Sequence, residues 1–184
     1  MNLSNKLNSI LKEYTEGNKT SAYKKFKKIY LQNNKDIKIR YNLAVMQQEL
    51  GLLDEAETNY ISLIEHIDEP KYRINLYNLY ITKGFYLDAL KIINSIKSKN
   101  LSIIKVDQDR AYILYLIKKY QESIYQCYEI LKADDRNVQA LNTLGLCFMK
   151  LERYEEADKT LLKAINLDDK NIVILNSLGR LNHE

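Results

Sequence analysis

Proline occurs once in 184 residues, cysteine twice and histidine twice, and only five residues are glycine. Each shortage removes a class of reading. Cys127 and Cys147 are twenty positions apart with no CxxC and no neighbouring histidine, which leaves neither a disulfide framework nor a zinc site; both suit core positions. His66 and His183 lie far apart, and neither has a matched Cys, Ser or carboxylate near it in the chain, so no catalytic constellation is expected. The glycines form no GxGxxG and no GxxxxGK[ST], which removes the usual phosphate-binding loops. No apolar run approaches ~18 residues, and the first eight residues hold no apolar core of signal-peptide length. The expectation is a cytoplasmic chain with no membrane contact, no metal and no cofactor.

Apolar residues make up 46% of the composition, enough for a domain that folds without staples. The net charge of +4 is small but uneven: residues 1–40 carry +7 and the remainder −3. Lysines 19, 24, 25, 27, 28, 35 and 38 with Arg40 supply the excess, and Tyr23 and Tyr30 lie among them. Lys24, Lys25, Lys27 and Lys28 thus form a candidate basic patch for phosphates, acidic partners or solubility. Arginine is scarce there, which disfavours nucleic acid.

The dominant signal is a repeat. Tyr86, Tyr120 and Tyr154 are 34 apart, as are Gly145 and Gly179, and Ala22, Ala56, Ala89, Ser123 and Ala157 recur at 33 or 34. Two helices of roughly 12 to 15 residues with two short turns fill such a period. Small residues at fixed points let paired helices approach: Ala44, Ala111, Gly145 and Gly179 on the first helix, the Ala22 series on the second. Phe26, Tyr60, Ile93, Cys127 and Leu161, then Ile29, Leu63, Ile96, Ile130 and Ala164 one turn on, form a buried i, i+3 stripe. Gly17, Gly51 and Gly84 fall in the turn within units one to three, where a left-handed helix stop is expected. Pro70 opens the third unit, where its missing amide does no harm. Helices are predicted over 3–16, 19–32, 37–50, 53–66, 71–83, 86–98, 103–117, 120–132, 138–150, 154–166 and 172–183.

Ala140-Leu141-Asn142-Thr143-Leu144-Gly145, then Arg153-Tyr154-Glu155-Glu156-Ala157 and Ala164-Ile165-Asn166-Leu167-Asp168, closely resemble the tetratricopeptide repeat. The resemblance extends over nearly the whole chain and weakens before residue 36, where Ile10 stands at the close-packing point. It implies an all-α, right-handed α-solenoid superhelix of antiparallel helix pairs: about five pairs plus one extra C-terminal helix. As a single domain over 1–184, the units span about 1–36, 37–69, 70–103, 104–137 and 138–171, with a half unit 172–184.

That family uses the concave face of its first helices to hold other polypeptides. Positions two, five, six, nine, twelve and thirteen of each unit point there by resemblance, and position six reads Asn8, Asn42, Asn75, Asp109, Thr143 and Ser177. A row of side-chain amides offers donors and acceptors to a peptide backbone without choosing its sequence. The plain alternative is that asparagine is frequent at this position and in this composition. Tyr41, Asn78, Gln108, Tyr112, Tyr115, Asn142, Met149 and Asn176 extend the surface with amides and rings, and aromatic rings give contact area at low ordering cost. The basic set by which some relatives clamp chaperone tails is missing, since Tyr41, Val45 and Asp109, or Leu7 and Leu11, stand in its places.

The expected function is a non-enzymatic scaffold binding an extended or helical peptide of a partner whose identity the sequence does not give. Its rivals are the substrate-recognition part of a longer sulfotransferase or glycosyltransferase, and binding of nucleic acid or an acidic partner through the first unit. Asp134-Asp135 and Asp168-Asp169 occupy equivalent turns between units and read as repeat features. The last helix, with Ile172, Val173, Ile174, Leu175, Leu178 and Leu181, is more apolar than a terminal helix needs to be, which makes it a candidate for self-association or for cover by further chain.

Overall fold

The computed structural model describes residues 2–67, 69–96 and 103–181, and within them every regular element is an α-helix. Five helices lie in a first compact unit, residues 1–85: α1 (Leu3–Thr15), α2 (Lys19–Gln32), α3 (Ile37–Glu49), α4 (Leu53–His66) and α5 (Pro70–Lys83). Six lie in a second, residues 86–184: α6 (Tyr86–Asn94), α7 (Ile103–Leu116), α8 (Tyr120–Ala133), α9 (Val138–Lys150), α10 (Tyr154–Leu167) and α11 (Ile172–Leu181). Ten of the eleven match the predicted spans to within two residues at each described end. The exception is α6, predicted to reach residue 98, which ends at Asn94 where the Ser95 hydroxyl donates to the Ile92 carbonyl at 2.6 Å. Residues 97–98, and His183 at the far end, lie outside the described residues.

Local chemistry sets the helix starts. Asn2 accepts from the Ser4 amide at 2.7 Å, Asp36 from Lys38 and Ile39 at 2.8 and 3.0 Å, and Asn137 from Ala140 at 3.1 Å, each relieving an amide with no helical partner. The turns inside the pairs share one backbone solution. Gly51 and Gly84 each adopt φ of +77°, and Lys118 and Glu152 take the same left-handed form at +64° and +59° where later units have no glycine. Such a φ costs a residue with a Cβ about 1–2 kcal/mol.

In the first unit α1, α2 and α3 bury Ile10, Tyr14, Phe26, Ile29, Leu43 and Met46 together. The Tyr14 hydroxyl reaches the Glu49 carboxylate at 3.1 Å, and Lys19 donates to that carboxylate at 2.8 Å, tying α1, α2 and α3 with one acid. Burial and the Glu49 charge push the Tyr14 hydroxyl up to about 12. Gln47, buried on α3, accepts from Asn59 at 2.8 Å, so its amide is not left unpaired against α4.

The second unit packs α7 to α11 around Ala111, Ile124, Cys127, Leu144, Cys147, Phe148 and Leu161. Ser123 takes the small-residue position of α8; its hydroxyl donates to the Ala111 carbonyl at 2.7 Å and accepts from Cys147 at 3.2 Å. Burial raises the Cys127 thiol to about 12 and the Cys147 thiol to about 11, which fits two core residues with no thiolate chemistry near neutrality. Closest of all is Gly145, where an added Cβ would stand 2.6 Å from Cγ of Leu161 on α10. At Gly179, its equivalent on α11, a Cβ would meet nothing within 4 Å.

Two measurements test these contacts. Gly145→Ala is expected to lower stability by about 1–3 kcal/mol in chemical denaturation through overpacking, while Gly179→Ala leaves it unchanged or raises it by up to ~1 kcal/mol through helix propensity. Lys118→Gly and Glu152→Gly are each expected to raise stability by about 1 kcal/mol, read as a higher unfolding midpoint, through release of left-handed strain.

Candidate functional site

The first helices of the repeat carry the residues singled out in the sequence, and each unit places them differently. In the first unit Asn8 is exposed on α1, Asn42 and Tyr41 are half-buried on α3, and Asn75 and Asn78 are half-buried on α5. The Asn75 amide donates to the Tyr41 hydroxyl at 3.0 Å, so two predicted groove residues from successive first helices meet directly. Tyr41 and Tyr72 stand 5.5 Å apart, and the Lys71 ammonium lies 5.7 Å from the first ring and 4.9 Å from the second. This is a polar and aromatic face already knitted together by its own members.

In the second unit every residue of α9 from Ala140 to Met149 is buried, because α7, α8, α10 and α11 all pack on this helix. Asn142 is consequently only 9% exposed, and its carbonyl accepts from the Ser177 hydroxyl at 3.0 Å. Gln108 donates to the Asn137 carbonyl oxygen at 2.7 Å, the atom that also caps α9. Tyr112 is exposed and stacks on Tyr115 at 6.0 Å, and Asn176 is exposed on α11.

A hollow of about 440 Å³ opens over this face, lined by Tyr112, Val138, Gln139, Asn142, Thr143, Leu146, Asp168, Asn171, Val173 and Ile174. Three of the predicted groove residues, Tyr112, Asn142 and Thr143, lie in it together; Gln108 and Asn176 are not among its lining. Buried Asn142 and Thr143 form a polar floor, and Leu146, Val173 and Ile174 supply apolar surface beside them. Sequence reasoning did not pick out Leu146 or Val173 as groove residues, although both fall at inward positions of the repeat; attention to amides and rings passed over the aliphatic residues between them.

The basic patch divides by partner. Lys25 donates to Glu13 at 2.7 and 2.9 Å and holds that carboxyl below its usual range, whereas Lys24, Lys27 and Lys28 project from the exposed face of α2. The Lys27 ammonium lies 5.8 Å from the Tyr23 ring. Among the described residues no group of His, Cys, Asp and Glu is placed to hold a metal ion, and no helix is long and apolar enough to cross a membrane.

The family model of the tetratricopeptide repeat matches residues 138–171, which is α9 with α10 and the turn that follows. That segment is a tetratricopeptide repeat. Solved structures carry the same fold across the chain. A tetratricopeptide repeat protein from Parabacteroides merdae ATCC 43184 aligns with a TM-score of 0.85 at 17% identity, over 98% of this chain and 72% of its own. YrrB, a tetratricopeptide protein with an unusual peptide-binding site, gives 0.74 at 14% identity over 94% and 90%. A thermophilic tetratricopeptide protein from Thermus thermophilus gives 0.63 at 20% identity over 98% and 97%. No curated protein matches the sequence. Helix pairs of the tetratricopeptide type therefore account for the all-helical solenoid fold and for the near-constant spacing of its small residues.

Proposed function

We propose that this chain is a protein-interaction scaffold that takes a peptide segment of a partner on its first-helix face, with the hollow of the second unit as the anchoring point. The observation that carries this reading is the coincidence of that hollow with the inward repeat positions, Gln139, Asn142, Thr143 and Leu146 of α9 flanked by Tyr112 and Val173. Its volume, about 440 Å³, is ample for one large apolar side chain. The ligand suited to it is a segment that inserts an aliphatic or aromatic residue against Leu146, Val173 and Ile174 while its backbone passes the Tyr112 ring. Tyr112 is exposed and already oriented by Tyr115, so little rotamer freedom remains to be lost on binding. The peptide-binding site of YrrB, which shares the fold, supports a polypeptide ligand over a small metabolite.

In the first unit Asn8, Asn42 and Asn75 play a lesser part. Asn75 already donates to Tyr41, so a ligand backbone would compete with an existing bond of 3.0 Å and gain little net energy.

Peptides selected by display on the wild-type chain provide the test. Tyr112→Ala is expected to weaken binding of the selected peptides about tenfold, the level of an interface hot spot, and Leu162→Ala on the exposed side of α10 to leave it unchanged. Equal affinities for the Tyr112 variant and the wild type, by fluorescence anisotropy, would remove the hollow as the anchoring point.

A further inference from the structure

The hollow over α9 has one charged side chain in its lining, and it is acidic. Asp168 stands there with no Lys, Arg or His beside it in the lining. It occupies the turn after α10, half-buried, as the C-cap residue of that helix. One of its carboxylate oxygens accepts from the Asn171 side-chain amide at 2.9 Å, and among the described residues no cation pairs with either oxygen. A carboxylate offers about four acceptor sites, so most of this one's capacity is unspent.

The turn itself does not need the charge. Asp134, at the same position one repeat earlier, is exposed and has both oxygens engaged, by the Arg136 amide at 3.1 Å and the Asn137 side chain at 3.3 Å. In the later turn Asn171 takes over the start of α11, its carbonyl oxygen accepting from the Val173 amide at 3.2 Å. The carboxylate of Asp168 is thereby left facing the hollow's rim. The carbonyl end of α10, whose last turn carries no basic residue, adds to the negative potential at the same spot. Opposite stand the apolar walls Leu146, Val173 and Ile174 and the Tyr112 ring. Apolar walls beside an unpaired carboxylate match a ligand with aliphatic surface and a cation close together, the chemistry of Lys and Arg beside an apolar residue.

We infer that the segment held in the hollow is basic as well as apolar, with a Lys or Arg of the partner, close in sequence to the anchoring residue, paired with Asp168. The inference rests on the peptide-binding reading above and adds the charge of the partner to it. Tyr112 and the aliphatic walls anchor the segment, and Asp168 selects it: acidic segments meet a like charge, and neutral ones leave the carboxylate against apolar surface without a partner.

A peptide library with one fixed leucine and every other position random, displayed and selected on the full chain, tests the inference. Lys or Arg is expected to be enriched within about four positions of the leucine, the distance over which residues share a face in a helix or an extended segment. Replacing that residue by Gln in a selected peptide is expected to lower affinity about three- to tenfold at low salt, by fluorescence anisotropy, with the loss shrinking as salt is raised. Asp168→Asn keeps an acceptor for Asn171, and on this variant the basic peptide and its Gln form are expected to bind alike. No enrichment of basic residues, or an equal loss on wild type and Asp168→Asn, overturns the inference while leaving the hollow in place, provided that Tyr112→Ala still weakens binding. If Tyr112→Ala has no effect either, the hollow falls as the anchoring point and the inference falls with it.

Discussion

How near α10 can come to α9 decides the rest of the second unit, and at Gly145 there is no room for one further carbon beside Leu161. That approach buries Leu161, Ala157 and Ala164 completely and lets α7 and α11 close on α9 from its flanks. The same demand recurs along the chain, where Ala22, Ala44, Ala56, Ala89, Ala111 and Ser123 are all fully buried. Close approach at a small side chain, with a bulky neighbour one turn away, is what two helices of this length need to bury a continuous core. Serine can stand in for alanine at 123 because its hydroxyl finds a carbonyl acceptor on the facing helix.

The proposed function rests on the same geometry. Burying α9 from several directions leaves the inward residues of the second unit in one shallow apolar hollow with a polar floor, rather than in an open row of amides. Asn142 turns to Ser177, Gln108 to the cap of α9 and Asn75 to Tyr41, because an amide pressed between neighbouring first helices bonds whichever neighbour comes within reach. The proposed binding site accordingly rests on the ring of Tyr112 and aliphatic side chains such as Val173 more than on Asn142, Gln108 and Asn75.

The helix pairs are legible in the amino-acid sequence. The 34-residue spacing of Tyr86, Tyr120 and Tyr154 and the small-residue series locate them, since both follow from helix length and contact distance. Less legible are features set by partners and by backbone geometry that the period does not encode. At the end of α6 the Ser95 amide is shared between the Lys91 and Ile92 carbonyls and the Ile96 amide turns to Ile93, a tightening that the repeat period does not encode. Lys118 and Glu152 adopt left-handed turns without glycine, because the pairing on either side requires the turn whatever residue occupies it. Tyr112 stands out in the sequence for its ring and does line the hollow, while Leu146 and Val173 carry no chemical flag, and only the packing of α7, α9 and α11 brings them beside it.

The most direct test of the scaffold reading is amide chemical-shift mapping of the labelled chain during titration with display-selected peptides. Perturbations are expected to concentrate on Tyr112, Thr143, Leu146 and Val173, with the outward faces of α2 and α10 unmoved. Perturbations confined to Lys24, Lys27 and Lys28 on α2, or spread over the exposed side of α10, would contradict it.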